Sequence, residues 1–484
     1  MTEQFPGAVL DLLDAAGDRT VFEHDGREVS GRHLLGTIRR VASALRQRGL
    51  GPGSAVALLL GVTPEAFAAV IAAYTVGARV VGVRPGMTDD QRAALLCDAG
   101  VTVTVTDRPG GADAGPPTVV LPLDELLAAS DDGRRPCVSG RPQDVARLIH
   151  TSGSTGVPKA CVQTYAAMTA AWALRPGDWP PAVRELAGRL DRFLVFGTLA
   201  SQVMLEYGLL ALAAGGVLVA ADPPDVPGAL VRHRATASVI TVGRLNRLVA
   251  DLRAAPVDLG TLRALMVSGS PLEPGRARAA ARVLGPVVFH GYGQTETGMI
   301  SMATPTDPPG SLGVPPVDLE VRDPSGRPVP AGTEGEIFVR TPSQGAGYWG
   351  EPALSGEVFV DGWVRTRDLG SLDAQGRLWL SGRTRDVVIV DANMYYTGPV
   401  ERLLARHPAV TEAYVVAVPD DATGEAVHAF VVPAADRVPA LDDLRALVTE
   451  QLGGACAPTR LTLIDEVPLT ATGKPDKRRL TTGT

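Results

Sequence analysis

The sequence predicts an α/β protein: a large N-terminal domain of parallel-rich α/β sheets with a β-rich subdomain, then a small α+β C-terminal domain. The first observation is an alternation of buried strands and helices, as in AVALLLG (55–61), PEAFAAVIAAYTVGA (64–78) and RVVGV (79–83). Such alternation is typical of parallel sheets covered by helices. The second is the length of 484 residues, enough to bury one large core and one small core.

The elements of the large domain follow in order. Apolar residues at helical spacing predict a helix over 30–50. The stretch Tyr207–Ala221 reads as a buried helix, a Gly-Gly break and a buried strand. The strand–helix alternation returns at 237–254 and at 262–291. Parallel sheets bind ligands beyond the carboxyl ends of their strands, so we expect the site there.

The pattern changes towards the C-terminus. From about residue 310 short strands and turns dominate, which predicts the β-rich subdomain. After residue 386 a strand, a helix at 398–407 and further strands predict the small domain. We place the boundary in the glycine-flanked segment 381–386, which gives domains of 1–382 and 383–484.

Composition excludes several classes of protein. The net charge is −7, so the chain lacks the excess of positive charge with which proteins bind nucleic-acid phosphates. The four cysteines are widely spaced and predict neither a disulfide framework nor a zinc site. The start MTEQFPGAVLDLL lacks the basic region of a secretory signal, and Tyr207–Ala221 is shorter than the roughly 20 residues of a membrane span. We therefore expect a soluble cytoplasmic protein that binds neither nucleic acid nor membrane.

Lysine is rare in this chain. Of 46 basic residues only Lys159, Lys474 and Lys477 are lysines. Arginine serves as well for surface solvation, so each lysine needs a reason.

The first lysine ends the segment TSGSTGVPK (151–159). Its glycines let backbone N–H groups converge on an anion, its hydroxyls add donors, and Lys159 adds a compact charge. The pattern predicts a polyphosphate-binding loop. A flexible surface loop is the ordinary alternative; a P-loop is another, but it requires Gly-Lys-Ser/Thr, and Pro158 and Ala160 flank this lysine.

This segment resembles the phosphate loop of the adenylate-forming superfamily, which contains acyl- and aryl-CoA synthetases, peptide-synthetase adenylation domains and luciferases. Four further segments resemble the family's motifs, in order: GYGQTETG (291–298), RTRDLG (365–370), GRTRD (382–386) and PLTATGK (468–474). Val267–Leu272, VSGSPL, also resembles the turn that packs on adenine.

The resemblance implies roles for these residues. Thr295 would touch the α-phosphate, Glu296 would hold Mg²⁺, and Lys474 would be the catalytic cation. Arg385 would occupy the hinge, about which the small mobile domain swings. The residues implied in binding ATP and its phosphates are Thr151, Ser152, Gly153, Ser154, Thr155, Gly156, Lys159, Gly269, Ser270, His290, Gly291, Tyr292, Gly293, Gln294, Asp368 and Arg383.

Each segment also has a simpler interpretation. The Thr-Glu pair occurs at helix N-termini, and Asp368 could be an ordinary turn residue. Arg367 replaces the family's usual Gly, which makes the local turn uncertain. Arg383 and Arg385 could be solvated, and Lys474 could belong to a basic tail, as we expect of Lys477.

The implied reaction is ATP- and Mg²⁺-dependent adenylation of a small carboxylic acid, followed by transfer to the thiol of CoA or of a phosphopantetheinyl carrier protein. The acid pocket would be lined by Phe196, Gly197, Ser201, Gly293 and Met299. The segment 193–206 lacks the Asp that pairs with an α-amino group. Small aryl or short acyl acids therefore fit better than ordinary α-amino acids, although these side chains could equally be core.

One segment departs from the family. The loop that lines the pantetheine tunnel has Ala392, Thr397 and Pro399 where the family usually has Gly, Pro and Glu. Drift within a subfamily that keeps the thioester step is one explanation. The other is a non-thiol acceptor, such as an amine or a small inorganic nucleophile, including activated-nitrogen chemistry on an aryl amino acid. A catalytically inactive nucleotide-binding module is a third hypothesis, which the retention of Lys474 disfavours.

Overall fold

A computed structural model describes residues 4–83, 89–108, 118–131, 133–151, 159–199, 201–220, 226–384, 386–390, 393–420, 423–434, 437–469 and 475–481. The chain divides into two compact units. The large unit comprises Met1–Ser268, Ala280–Thr306 and Arg340–Val364; the small unit comprises Gly269–Ala279, Asp307–Val339 and Arg365–Thr484. The boundary at 382/383 stays a prediction.

The first sheet of the large unit has seven strands, numbered in chain order along the protein. Across the sheet they are β17 (Gly347–Tyr348), β8 (Lys159–Thr164), β7 (Val145–Thr151), β4 (Arg79–Gly82), β3 (Ala55–Leu59), β5 (Val103–Thr106) and β6 (Val119–Pro122). The five strands from β7 to β6 run parallel, and β8 and β17 add antiparallel pairs at one edge. Hydrophobic residues fill β3 on both faces, as a strand covered on both sides requires.

The second sheet of the large unit has eight strands. They are β14 (Gly298–Ala303), β13 (Val288–Gln294), β12 (Ala264–Ser268), β11 (Ala237–Thr241), β9 (Arg192–Val195), β10 (Val217–Ala220), β1 (Thr20–His24) and β2 (Arg27–Ser30). The strands from β13 to β1 are parallel, whereas β14 and β2 pair antiparallel at the two edges.

Helices cover these sheets. They are α1 (Gly7–Ala16), α2 (Gly31–Gln47), α3 (Pro64–Thr75), α4 (Asp89–Asp98), α5 (Leu123–Leu127), α6 (Tyr165–Ala170), α7 (Pro181–Ala187), α8 (Gln202–Ala213), α9 (Val226–Arg232), α10 (Val242–Ala254), α11 (Pro274–Leu284) and α12 (Pro352–Val358). Helix α3 begins at Pro64, where Thr63 Oγ1 accepts a hydrogen bond from the Ala66 N–H. It packs against β4 and β1, so one buried helix joins both sheets in a single hydrophobic core.

The small unit contains two antiparallel-rich sheets. One has the order β15 (Asp318–Arg322), β16 (Gly335–Arg340) and β19 (Trp363–Leu372), with β20 (Leu378–Arg383) on β19; β18 (Phe359–Val360) pairs with the start of β19 inside the large unit. The other has β22 (Asn393–Tyr396), β21 (Val387–Val390), β24 (Gly424–Pro433) and β23 (Val410–Asp420), with β25 (Arg460–Leu463) on β24. The remaining helices are α13 (Thr397–Leu404), α14 (Leu441–Leu452) and α15 (Lys477–Thr481).

The architecture confirms the predicted mixed α/β class. The predicted helix over 30–50 is α2, and the described part of the apolar stretch, residues 207–220, forms the end of α8 and then β10. Within the described parts of the chain, every helix is too short or too polar to cross a membrane.

Candidate functional site

The predicted phosphate loop joins two strands of the seven-stranded sheet. Strands β7 and β8 pair antiparallel, and their register sets Thr151 opposite Lys159. The two ends of the segment therefore lie side by side at the tip of a hairpin. Ser152, Gly153, Ser154, Thr155 and Gly156, which we predicted to bind phosphate, lie outside the described residues.

The second predicted motif is a tight hairpin of the eight-stranded sheet. Strands β13 and β14 are joined by Thr295, Glu296 and Thr297, and Thr297 Oγ1 accepts a hydrogen bond from the Gln294 N–H at 3.2 Å. A Cβ on Gly293 would lie 2.3 Å from the Gly298 carbonyl oxygen. Only glycine fits there, so close packing of the hairpin explains that part of the motif.

The residues of β13 that precede this turn are also closely packed. Gly291 faces Met266, whose Cε would lie 2.0 Å from a Cβ at this position. His290 and Tyr292 are buried in β13, and Gln294 ends it opposite Gly298.

Tyr348 connects the two motifs. Its hydroxyl donates a hydrogen bond to Glu296 Oε1 at 2.6 Å, and the Lys159 ammonium lies 5.8 Å from the centre of its ring. Tyr348 reaches this position because β17 pairs with β8, with Tyr348 opposite Cys161. The structure thus brings Lys159, which ends the predicted phosphate loop, and Glu296, the predicted metal ligand, close to the Tyr348 side chain. Tyr348 belongs to none of the predicted motifs, so the sequence alone did not identify it.

Two contacts hold the backbone of the turn between β13 and β14. The Gly345 N–H donates to the Glu296 carbonyl oxygen at 2.8 Å, and the Cys161 thiol lies 3.7 Å from the Thr295 carbonyl oxygen. Burial, reinforced by the negative charge of Glu296, raises the pKa of the Cys161 thiol well above its ordinary value. Cys161 is therefore a neutral packing residue beneath the turn.

The residues fit one magnesium ion with a mostly non-protein coordination shell. Among the described residues no three His, Cys, Asp or Glu side chains group as metal ligands. Mg²⁺ commonly takes one or two carboxylates and completes its shell with substrate phosphates and water. A half-buried Glu296 that accepts a hydrogen bond from Tyr348, with Lys159 near the same ring, provides such a carboxylate close to one end of the predicted phosphate loop.

The predicted acid pocket lies at the carboxyl edge of the eight-stranded sheet. Phe196 directly follows β9, while Gly293, near the end of β13, is paired with Met299 on β14. The Arg244 guanidinium lies 4.9 Å from the centre of the Phe196 ring. Gly197 is exposed, with a φ of 80°, and Ser201 immediately precedes α8. Phe196 and Met299 are half-buried and pack against the core.

In the small unit, the predicted ribose ligand Asp368 is buried and paired. Arg383 Nε donates to Asp368 Oδ1 at 2.8 Å, across the register that sets these residues opposite each other on β19 and β20. Arg367 has a φ of 62°, the left-handed conformation that glycine favours. The Thr384 N–H donates a hydrogen bond to the Arg367 carbonyl oxygen at 2.9 Å. Arg367 therefore keeps a glycine-like turn here, which resolves the uncertainty about this substitution.

The other predicted residues of the small unit are partly described. Gly269 follows the last residue of β12 and has a φ of 97°, so the turn that begins there needs glycine; Ser270 comes next. The predicted hinge residue Arg385 and the predicted catalytic residue Lys474 lie outside the described residues.

The third lysine is not a solvated tail residue, so that expectation was wrong. Lys477 Nζ lies 2.7 Å from Glu401 Oε1 and 3.2 Å from Asp386 Oδ2, and donates to Thr397 Oγ1 at 3.2 Å. Burial by itself would lower the pKa of Lys477. The negative charges of Glu401 and Asp386 outweigh burial, so the pKa of Lys477 is raised. The rarity of lysine was the signal that could have identified it.

Lys477 also explains part of the segment that departs from the family pattern. Thr397 is the first residue of α13 and contacts Lys477, and Pro399 lies in the first turn of the same helix. A Cβ on Gly398 would lie 3.2 Å from Gly382 Cα, so α13 approaches β20 closely. Ala392 lies outside the described residues.

Comparison with known proteins agrees with this geometry. The AMP-binding enzyme family matches residues 13–349, and the AMP-binding enzyme C-terminal domain matches residues 399–474. The fatty acid–[acyl-carrier-protein] ligase ScoC of Streptomyces coeruleorubidus is 30% identical over 94% of this chain and 92% of its own. A feruloyl-CoA synthase of an Amycolatopsis species is 31% identical over 94% of each chain. The solved structure of the amide bond synthetase McbA from Marinactinospora thermotolerans has a TM-score of 0.88 and 32% identity over 99% of both chains.

The fold, the hairpin motifs and these matches define an adenylate-forming enzyme. The chain belongs to the AMP-binding enzyme family. The predicted family and the predicted enzyme class, an AMP-forming enzyme of the acid–thiol ligase type, are confirmed.

Proposed function

We propose that the protein adenylates a small aryl or short acyl carboxylic acid with ATP and then transfers the acyl group to the thiol of CoA or of a carrier protein. The observation that carries this proposal is the arrangement of Lys159 and Glu296 around Tyr348. A cation and a carboxylate close to the same phenol, at the end of a glycine- and hydroxyl-rich segment, support transfer from a polyphosphate, which requires such charges.

In the first step a carboxylate oxygen of the acid attacks the α-phosphorus of ATP. The bond from that phosphorus to the oxygen bridging the β-phosphate breaks, so acyl-AMP forms and pyrophosphate leaves. Lys159 and the loop donors hold the β- and γ-phosphates, Thr295 contacts the α-phosphate, and Lys474 bridges the acid and the α-phosphate. Glu296 would hold Mg²⁺, which would neutralise charge on the departing pyrophosphate. Asp368 accepts hydrogen bonds from the ribose, with Arg383 beside it.

In the second step the thiol sulfur attacks the acyl carbon. The bond between that carbon and the AMP oxygen breaks, the thiol proton is released and AMP leaves. The names of the relatives, a fatty acid–[acyl-carrier-protein] ligase and a feruloyl-CoA synthase, support a thiol acceptor.

A non-thiol acceptor is the second candidate, favoured by two observations. McbA, an amide bond synthetase by name, resembles this chain over its whole length. The segment around α13 has Thr397 and Pro399 in place of the usual family residues, and Thr397 contacts Lys477. An amine would attack the same acyl carbon, lose a proton and release AMP.

Pyrophosphate release measured across a panel of acids tests both candidates. We expect ATP-dependent release with aryl or short acyl acids, and none from E296Q. Stimulation by CoA or a carrier protein supports the thiol acceptor, whereas turnover with an amine alone supports the second candidate. No release with any acid would leave only a nucleotide-binding module and would refute adenylation.

A further inference from the structure

Residues 468–476, called the lysine segment below, contain the predicted catalytic residue Lys474. Two backbone contacts join the ends of this segment: an antiparallel bridge between Leu469 and Pro475, and a 2.7 Å hydrogen bond from the Asp476 N–H to the Pro468 carbonyl oxygen. The chain therefore enters and leaves the lysine segment side by side. An isolated pairing of two strands is marginal in water, so the position of the segment depends on what holds its ends.

Lys477 attaches the end of the lysine segment to the sheet of the small unit. Its Nζ lies 2.7 Å from Glu401 Oε1 and 3.2 Å from Asp386 Oδ2, and it donates a hydrogen bond to Thr397 Oγ1 at 3.2 Å. Asp386 directly precedes β21, whereas Thr397 and Glu401 lie on α13. One ammonium group thus joins the residue that follows the lysine segment to two elements of the small unit.

The oxygens around this ammonium are themselves held in place. The Val415 N–H donates a hydrogen bond to Glu401 Oε1 at 2.6 Å, which links α13 to β23. The Thr397 N–H donates to the Asp386 carbonyl oxygen at 2.8 Å, which links the start of α13 to the residue before β21. The partners of the ammonium therefore form a fixed receptor and not a set of mobile surface carboxylates.

A second contact holds the other end of α15. Leu480 is buried in an apolar cluster with Val416 on β23 and Phe430 on β24. Lys477 and Leu480 are three residues apart, so they lie on the same face of the helix. With a charged contact at its start and an apolar contact one turn later, α15 is fixed against the sheet, and so is the chain that leads into it.

The choice of an ion pair at this place needs a reason beyond stability. The side chains of Lys477 and Glu401 are only 25% and 19% exposed. Well-packed apolar residues often stabilise such a place as well as an ion pair does. An ammonium among three oxygens, however, specifies one arrangement of the elements that supply them, because its hydrogen bonds require defined distances and directions.

We propose that Lys477 is a positioning residue that holds the lysine segment against α13 and β21, so that Lys474 is preorganised for the adenylation step. This inference rests on the proposed adenylation function. Lys474 comes three residues before Lys477, and three residues of chain span at most about 11 Å, so a shift of Lys477 is passed on to Lys474. A displacement of about 1 Å in a reacting group can lower a rate about 10²-fold.

The two chemical steps distinguish positioning from a general effect on folding. In the proposed mechanism Lys474 acts in the attack on the α-phosphorus, whereas transfer of the acyl group from acyl-AMP to the acceptor does not use it. Loss of Lys477 should therefore slow the first step and leave the second unchanged. A residue that only stabilised the fold would slow both steps to the same degree.

The test measures pyrophosphate exchange with the most active acid among benzoate, cinnamate and butanoate. K477M should lower kcat about 30- to 100-fold and change KM for ATP and for the acid by less than about threefold. K474A/K477M should be no slower than K474A, because Lys477 has nothing to position once the Lys474 side chain is gone. K477R, which keeps the positive charge, should recover part of the lost kcat.

Three controls separate this effect from stability. K477M/E401Q, which removes the uncompensated carboxylate, should remain as slow as K477M even where it is more stable. T462V removes the 2.9 Å hydrogen bond between Thr462 and His428 in the same sheet, and should keep the wild-type kcat. Transfer from the preformed acyl-AMP of the same acid to CoA or to benzylamine should run in K477M at the wild-type rate.

Exchange by K477M within threefold of the wild-type rate would overturn the positioning role. So would a further loss when K477M is added to K474A, or equal losses in both steps, because either is the mark of a structural role. These outcomes leave adenylation in place, whereas a wild-type enzyme that exchanges pyrophosphate with none of the acids refutes the proposed function instead. If K477M does not fold, the same comparison of K477R with K474A/K477R decides the result.

Discussion

At the scale of the residue, Arg367 shows how a substitution can preserve a turn. Its φ of 62° places a large side chain in a conformation that costs an L-residue roughly 1 kcal/mol and costs glycine almost nothing. Asp368, which immediately follows, depends on that turn for its pairing with Arg383.

We therefore expect R367G to raise the free energy of unfolding by up to about 1 kcal/mol. Adenylation should be retained, because the backbone already has the glycine conformation. Denaturant unfolding and pyrophosphate exchange measure the two effects. R367V, a β-branched residue at the same φ, is the opposite control and should destabilise the protein. A destabilised R367G would show that the Arg367 side chain, and not the backbone, holds the turn.

A second prediction at this scale concerns the Tyr348 hydroxyl. Y348F removes one hydroxyl and leaves the ring that packs on Phe359 and lies beside Lys159. Glu296 then loses its 2.6 Å hydrogen bond, so we expect a higher Mg²⁺ requirement and a three- to tenfold lower kcat, on the order of 1 kcal/mol. Magnesium titration of pyrophosphate exchange measures both. F359L, which disturbs only the ring packing, should leave the Mg²⁺ requirement unchanged. An unchanged requirement in Y348F would separate Tyr348 from metal binding.

The ionisation of Glu206 makes stability depend on pH. Burial on α8 raises its folded-state pKa to about 7, above the usual value of about 4.3, so the protonated form is the more stable one in the folded protein. The stabilisation is complete below pH 4 and is lost as pH rises towards and through 7. E206Q is neutral at every pH, so its stability relative to wild type should increase by about 1–3 kcal/mol between pH 5 and pH 8. Thermal unfolding across this range measures the difference, and a pH-independent difference contradicts the raised pKa.

At the scale of the element, Lys477 ties the C-terminal helix to the sheet of the small unit. Helix α15 begins at Lys477, while Asp386 precedes β21 and Glu401 lies on α13. The Val415 N–H also donates to Glu401 Oε1, so strand β23 joins the same cluster. Burial raises the pKa of Glu401, an effect that the Lys477 charge opposes.

Removing this cation should destabilise the small unit. K477M leaves Glu401 enclosed without its partner, and we expect a loss of about 3 kcal/mol, seen as faster hydrogen exchange in β21, α13 and β23. The double variant K477M/E401Q should recover part of that loss, because the uncompensated charge is gone. K477R keeps the positive charge and tests whether a planar guanidinium can replace the compact ammonium among its three oxygen partners. Full stability of K477M would mean that the cluster contributes nothing to folding.

At the scale of the whole molecule, the proposed chemistry draws on motifs far apart in the sequence, from the segment that ends at Lys159 to the segment that ends at Lys474. The assignment of Lys474 follows from its motif, and its test is functional.

K474A should lower pyrophosphate exchange by about 10²–10³, or roughly 3–4 kcal/mol, because one preorganised charge is lost. ATP binding, measured by calorimetry on the same variant, should stay near the wild-type value, which serves as the internal control. Pyrophosphate release at the wild-type rate would contradict the catalytic role of Lys474.

The class of fold could be predicted from the sequence, because strand and helix periodicity and the placement of glycines depend on local backbone geometry. It also identified the hairpin motifs, since glycines such as Gly293 are required wherever the chain packs this closely. Residues that meet through pairing of distant strands could not be found in this way: Tyr348 reaches Glu296 only because β17 pairs with β8. Lys477 lies in a charged run and Glu206 in an apolar one, and the sequence does not show what surrounds either side chain. Their surroundings became visible only in the fold, because burial and ion pairing are properties of a three-dimensional neighbourhood.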